Sequence, residues 1–211
     1  MLRRRPDSAQ AHFTMAYVLR YGGVLEEAMQ ECDTALHLDP GNYQLRSCSV
    51  VFANSGNLER AQIFVNLDAG SDWSNNMTAS LLMRGGKRDE AREFVQRLPD
   101  TPFYARNFVE GCVQGRSGPE FDRIAQEAES RMSGIPDSEP GFYRGMEMVF
   151  CNQSQIGWRM IGEAISKNYC GYGALQNDPF LAKSRQTREF ERLLSEAKLC
   201  RDKFLAARNQ N

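Results

Sequence analysis

The sequence predicts an all-α protein, an α-α superhelix of stacked antiparallel helical hairpins closed by a C-terminal capping helix. Three observations carry that expectation. Apolar residues recur at three- and four-residue offsets, with almost no alternating β-branched stretches. Glycine and proline punctuate the amphipathic segments. The turn itself repeats: Gly23-Val24-Leu25-Glu26-Glu27-Ala28 is echoed 33 residues on by Gly56-Asn57-Leu58-Glu59-Arg60-Ala61, and 30 further on by Gly86-Lys87-Arg88-Asp89-Glu90-Ala91. In each copy the glycine serves the turn, and the alanine five positions later stands where a larger side chain would push two helices apart.

The elements follow in order as a single array over residues 1–211. Pro6 and Pro40 lie 34 residues apart, and each follows a leucine, Leu2 or Leu36, by four positions. Residues 1–5 therefore read as the last turn of a truncated preceding repeat, and the chain is expected to begin inside a longer protein. The first hairpin spans 8–38. Its first helix carries Phe13, Ala16, Tyr17 and Arg20 and stops at Gly22-Gly23. Its second has Glu26-Glu27 on the N-terminal turn, where the helix dipole favours acid, and presents Ala28, Cys32, Ala35 and Leu36 on one face. Further hairpins are expected over 42–68 and 73–98. A looser one over 103–132 turns at Gly115-Arg116-Ser117-Gly118, with Pro119 at a helix start. The fifth, 140–168, takes its second apolar face from Trp158, Ile161, Ala164 and Ile165. Residues 174–209 form the cap, with Phe190, Leu193, Leu194, Ala197 and Phe204 on one stripe of a long helix.

Composition excludes several classes. Lys and Arg total 26 against 27 for Asp and Glu, a net charge of −1, which removes the basic footprint that nucleic-acid binding needs. Arg3 to Arg5 fall short of the basic runs of about 5–8 residues that carry such a signal. The mean hydropathy is −0.55, and no window approaches the roughly 20 apolar residues of a membrane span, so no membrane insertion is expected. No secretory leader is read in the first residues. Six cysteines, Cys32, Cys48, Cys112, Cys151, Cys170 and Cys200, are spread widely without a C-x-x-C, and read as reduced, buried thiols of a cytoplasmic protein. With only His12 and His37, no metal site and no cofactor are predicted.

Signals for catalysis fail one by one. Gly86-Lys87 has the end of a phosphate loop, but Leu81 stands where its first glycine belongs and Arg88 replaces Ser or Thr. No G-x-S-x-G occurs. Glu26-Glu27 and Asp89-Glu90 are paired acids at helix starts, which the dipole explains. The chain is predicted not to be an enzyme.

The period of about 34 residues and the placement of small and large side chains resemble the tetratricopeptide repeat family. His12, Met15, Ala16 and Leu19, then Ala28, Ala35 and Pro40, stand at its pattern positions, with His12 in place of the usual tryptophan. Leu45, Cys48, Ser49, Phe52, Gly56 and Ala61 carry the second copy, and Ala79, Leu82, Gly86 and Ala91 the third. The resemblance is specific over roughly 2–98. In the tail, Tyr172, Ala174-Leu175, Asp178-Pro179-Phe180-Leu181, Arg185, Glu189-Phe190 and Leu193-Leu194 look like the closing segment of such arrays in bacterial multidomain regulators, where they follow a kinase or winged-helix module.

The resemblance implies binding rather than catalysis: a non-catalytic protein–protein interaction module, the regulatory or sensor part of a larger bacterial signalling protein, holding a peptide or partner domain in its concave groove. Family geometry implies that Phe13, Tyr17, Arg20 and Tyr21 face the groove from the first repeat, Tyr43, Arg46 and Asn54 from the second, and Trp73, Asn76 and Arg84 from the third. Aromatic rings with arginine are what interface cores favour. A clamp for acidic chaperone tails is not implied, because Phe13 and Tyr17 stand where its Lys and Asn would be. The alternatives are a self-association module forming a homodimer through the exposed end at Leu2, and an enzyme on a helical-hairpin scaffold.

Overall fold

The computed structural model describes residues 6–210, so the pre-repeat fragment expected at 1–5, Leu2 included, lies outside the described residues. Within them the chain is all-helical, with twelve α-helices and no strand. Neighbouring helices pair as α1 (Ala9–Tyr21) with α2 (Leu25–Leu38), α3 (Cys48–Asn54) with α4 (Leu58–Val65), α5 (Asp72–Arg84) with α6 (Arg88–Val95), α7 (Arg106–Val113) with α8 (Pro119–Met132), and α9 (Ser138–Phe150) with α10 (Ser154–Ser166). The tail is α11 (Tyr172–Asn177), a 3-10 turn at Pro179–Leu181, and α12 (Arg188–Asn209). The second hairpin departs from the expected pattern, since Tyr43–Ser47 is a 3-10 turn leading into the short α3.

One turn recurs in all five pairs. The N–H groups of Val24, Asn57, Lys87, Arg116 and Gln153 donate to the carbonyls of Leu19, Phe52, Leu82, Gly111 and Met148, the six-to-one bond of a Schellman end. The residue before each donor is left-handed: Gly23, Gly56, Gly86 and Gly115 have φ of 70° to 81°, and Asn152 takes that place in the fifth pair at 64°. Glycine enters that region without a Cβ penalty, and asparagine tolerates it. Ala28, Ala61 and Ala91, five residues past the first three glycines, are completely buried, as a close helix crossing requires.

Two apolar clusters make the core. One joins the first two hairpins, with Leu19, Leu45, Phe52 and Phe64, and reaches Leu81. The other runs from Ala79 through Phe108, Phe121, Phe142 and Ile161 to Leu193 and Ala197 of α12. The tightest crossing is between α9 and α10, where a Cβ on Gly157 would lie 2.5 Å from the Gly145 carbonyl oxygen.

The cysteine expectation is corrected. All six are paired, as Cys32–Cys48, Cys112–Cys151 and Cys170–Cys200, at sequence separations of 16, 39 and 30. The first two bridges staple one hairpin to the next, and the third ties α12 to the segment before α11. Packing brings the cysteines together across neighbouring units, which a search for adjacent pairs does not see. The expectation of a cytoplasmic location rested on the thiol reading and loses that support. No described helix is long and apolar enough to cross a membrane.

The tail does more than cap the last hairpin. It contacts α10, and it also returns to the first: the Cys170 N–H donates to the Tyr21 carbonyl at 2.9 Å, Leu25 lies against Gly173, Phe204 packs on Gly22, and Arg208 pairs with Glu27 at 2.7 Å. The tail thereby joins the fifth hairpin to the first.

Candidate functional site

Helices α1, α3 and α5, the first helices of the first three hairpins, share one recess with α9. Six of the ten predicted groove residues, Tyr17, Arg20, Asn54, Trp73, Asn76 and Arg84, border one recess of about 270 Å3. The other wall comes from α9 and the loop before it, with Glu139, Tyr143, Arg144 and Glu147. Phe103 and Phe180 complete the rim. The remaining four lie elsewhere. Phe13 packs edge-on against Tyr17, Tyr21 is turned towards Asp137, and Tyr43 is 53% exposed with the Arg46 guanidinium over its ring. Arg46 also covers the Trp73 ring at 5.4 Å and faces Asp68, so it supports the recess from behind.

Two of the predicted cations are not offered to solvent. Arg20 is 2% exposed, and its guanidinium meets the Glu139 carboxylate at 2.7 Å and donates to the Ser47 carbonyl. Arg84 pairs with the fully buried Asp178 at 2.9 Å and lies 3.9 Å above the Phe180 ring. A third arginine, Arg144, pairs with Glu147 and donates to the carbonyls of Phe103 and Tyr104.

Around Glu139 the polar groups form one connected network. The Tyr143 and Tyr169 hydroxyls lie 2.7 Å apart and 3.4 and 3.2 Å from Glu139 Oε1, so one donates to the other and the other to the carboxylate, and Asn54 Nδ2 donates to the Tyr143 hydroxyl. Tyr17 and Tyr21 stack with centroids 4.9 Å apart and share a hydroxyl contact, and Tyr21 donates to Asp137 at 2.7 Å. Burial lifts the Glu139 carboxyl above its ordinary range against the pull of Arg20. Burial, reinforced by the Glu139 charge, pushes Tyr21 and Tyr143 far up, so both stay protonated donors. Burial acts against Arg20, and the surrounding Glu139 and tyrosines more than offset it, so the guanidinium stays charged.

Sequence reasoning missed Glu139, Tyr143, Arg144 and Glu147. All lie on α9, 85 or more residues beyond Asn54, and their signal is the presence of Glu139, Arg144 and Glu147 on a helix that is mostly apolar. No group of three or more potential metal-ligating side chains is clustered among the described residues. A scan against protein-family models gives no match to this chain, and a search of curated proteins finds no significant similarity.

Proposed function

We propose that the chain is a divergent array of the tetratricopeptide type, an α-α superhelix serving as a non-catalytic binding module within a larger bacterial signalling protein, and that a partner protein or peptide inserts a group into the recess between the first helices and α9. The observation that carries this reading is the convergence of six predicted groove residues, from three hairpins, on one recess. The shared turn of all five hairpins supports the repeat. Because α9 occupies much of the inner wall, the site suits one or two inserted side chains rather than an extended peptide laid along the groove. The non-catalytic reading is supported by the two glutamates of α9 at the site, since Glu139 and Glu147 each face an arginine.

Panning a displayed peptide library on the protein tests the proposal. Peptides held by the recess should lose at least tenfold in affinity on Trp73→Ala, about 1.4 kcal/mol. They should be indifferent to Tyr43→Ala, outside the recess. Equal binding to the Trp73→Ala protein would overturn the assignment.

A second reading, homodimerisation, is supported by an apolar cleft between α1 and α12, where Val18 is 45% and Leu199 63% exposed. Light scattering over a range of concentrations separates the two, since a monomer throughout sinks the dimer.

A further inference from the structure

The recess keeps hydrogen-bonding groups that the fold does not use. Asn54 is 1% exposed, and while its Nδ2 donates to Tyr143, its buried Oδ1 accepts nothing among the described residues. The half-buried Asn76 side chain and the Trp73 indole N–H, both on α5, likewise make no hydrogen bond with the described residues. Buried polar groups are satisfied in the great majority of cases, so an unpaired amide oxygen beside two idle polar groups on one recess points to a ligand.

The buried charges at the recess are already matched. Arg20 faces Glu139, Arg84 faces Asp178 and Arg144 faces Glu147, each pair largely withdrawn from solvent. An incoming anion would find no free cation, and taking one would strand the other member of a buried pair, which is strongly unfavourable; the lining carboxylate outside the three pairs is Asp137, which is exposed and already accepts from the Tyr21 hydroxyl and the Glu139 N–H. A neutral group carries no such cost. The walls add flat apolar faces in Tyr17, Trp73 and Phe103.

We propose that the recess takes an uncharged carboxamide borne on a flat, apolar body. The amide N–H is donated to an asparagine side-chain oxygen, the amide carbonyl accepts from Asn76 Nδ2 or the Trp73 indole N–H, and the body packs on the rings. The volume, about 270 Å3, is just below the roughly 300–1,000 Å3 of small-molecule pockets and suits a compact group. This rests on the reading of the recess as the binding site and adds the chemistry of what enters it. The carboxamide can be a free small molecule or part of a partner's chain.

Trp73 reports directly, because the chain has two tryptophans and the other, Trp158, is buried on α10 against Phe190. In a Trp158→Phe background, emission is titrated with phenylacetamide, phenylacetate and phenethylammonium, which share one ring and differ in charge, and with N-acetylphenylalanine amide as the peptide-borne form. Phenylacetamide should give a saturable change, at least tenfold tighter than either charged probe, and Asn76→Ala should weaken it at least fivefold with the helical circular dichroism unchanged. Tighter binding of N-acetylphenylalanine amide assigns the group to a partner chain. Binding of phenylacetamide alone assigns it to a free molecule, which removes the partner-insertion reading while the chemistry stands. A charged probe that binds as tightly as the amide overturns the inference and leaves the recess as a binding site. A flat response to all four probes overturns the inference too, while the displayed-peptide experiment judges the binding site independently.

Discussion

Arg20 was legible as a residue of the inner wall, since its offset from Phe13 and Tyr17 puts it on their face. Its fate was not legible. Its partner Glu139 is 119 residues away, and no local spacing joins them. The pair is buried with its tyrosine network, and losing one member leaves a charge without its counter-charge. Glu139→Gln should therefore cost about 3–5 kcal/mol, while Arg20→Met combined with Glu139→Met should recover most of that. Urea unfolding midpoints measure both. A second titratable contact ties α1 to α2. Burial lowers the His12 imidazole, but its bonds to the Pro6 carbonyl and the Glu31 carboxylate more than offset this, so its net pKa is raised above 6.5. A raised folded-state value means that the contribution is complete below about pH 6.5 and is lost as pH rises through the raised value. The stability difference between the native protein and His12→Gln should be larger at pH 5.5 than at pH 8.5, and a difference independent of pH would contradict the pairing.

At the scale of the element, the turn was the most legible feature, because its demands are local. A glycine at positive φ and an alanine that lets two helices meet can both be seen within six residues, and three copies stand out. The fourth copy keeps Gly115 in a looser surrounding sequence. The fifth was hidden because Asn152 occupies the glycine's place, a substitution the left-handed region allows but a search for glycine passes over. Two substitutions separate the roles of glycine in these elements. At Gly86, φ 76°, an added Cβ would meet nothing within 4 Å, so Gly86→Ala should cost about 1–2 kcal/mol from backbone conformation alone. At Gly157 the same methyl would strike the Gly145 carbonyl and the Val149 backbone and side chain, so Gly157→Ala should cost more than about 2 kcal/mol despite its helical backbone. Denaturant midpoints should rank Gly157→Ala below Gly86→Ala, and the reverse order would refute the crossing.

At the scale of the whole molecule, the array of hairpins was readable from period and punctuation, while its closure and its bridges were not. Cys32 and Cys48 stand on helices that sequence analysis assigned to successive hairpins, yet only the packing of α2 on α3 makes them partners. The recess was half legible for the same reason: residues from the three regular hairpins could be placed on one face, but the wall from α9 exists only because the chain turns back. If the tail holds the first hairpin, Phe204→Ala should lower hydrogen-exchange protection in α1 and α2 as well as in α12, with α5 to α8 little changed. A loss confined to α12 would show that the tail caps only the fifth hairpin.

The contact of Arg208 with Glu27 spans 181 residues of sequence. A linear array of hairpins can nucleate anywhere, and its terminal unit can peel away while the rest stands. Here neither the first hairpin nor the last helix is a free end, and the joint between them demands the closure of nearly the whole chain before any of its contacts form. Such non-local contacts slow folding. The joint should thus be among the last parts to assemble, and once made it binds the melting of the first hairpin to that of the last helix. In this protein, adding or deleting one hairpin would not lengthen or shorten a rod; it would misalign the two ends that must meet.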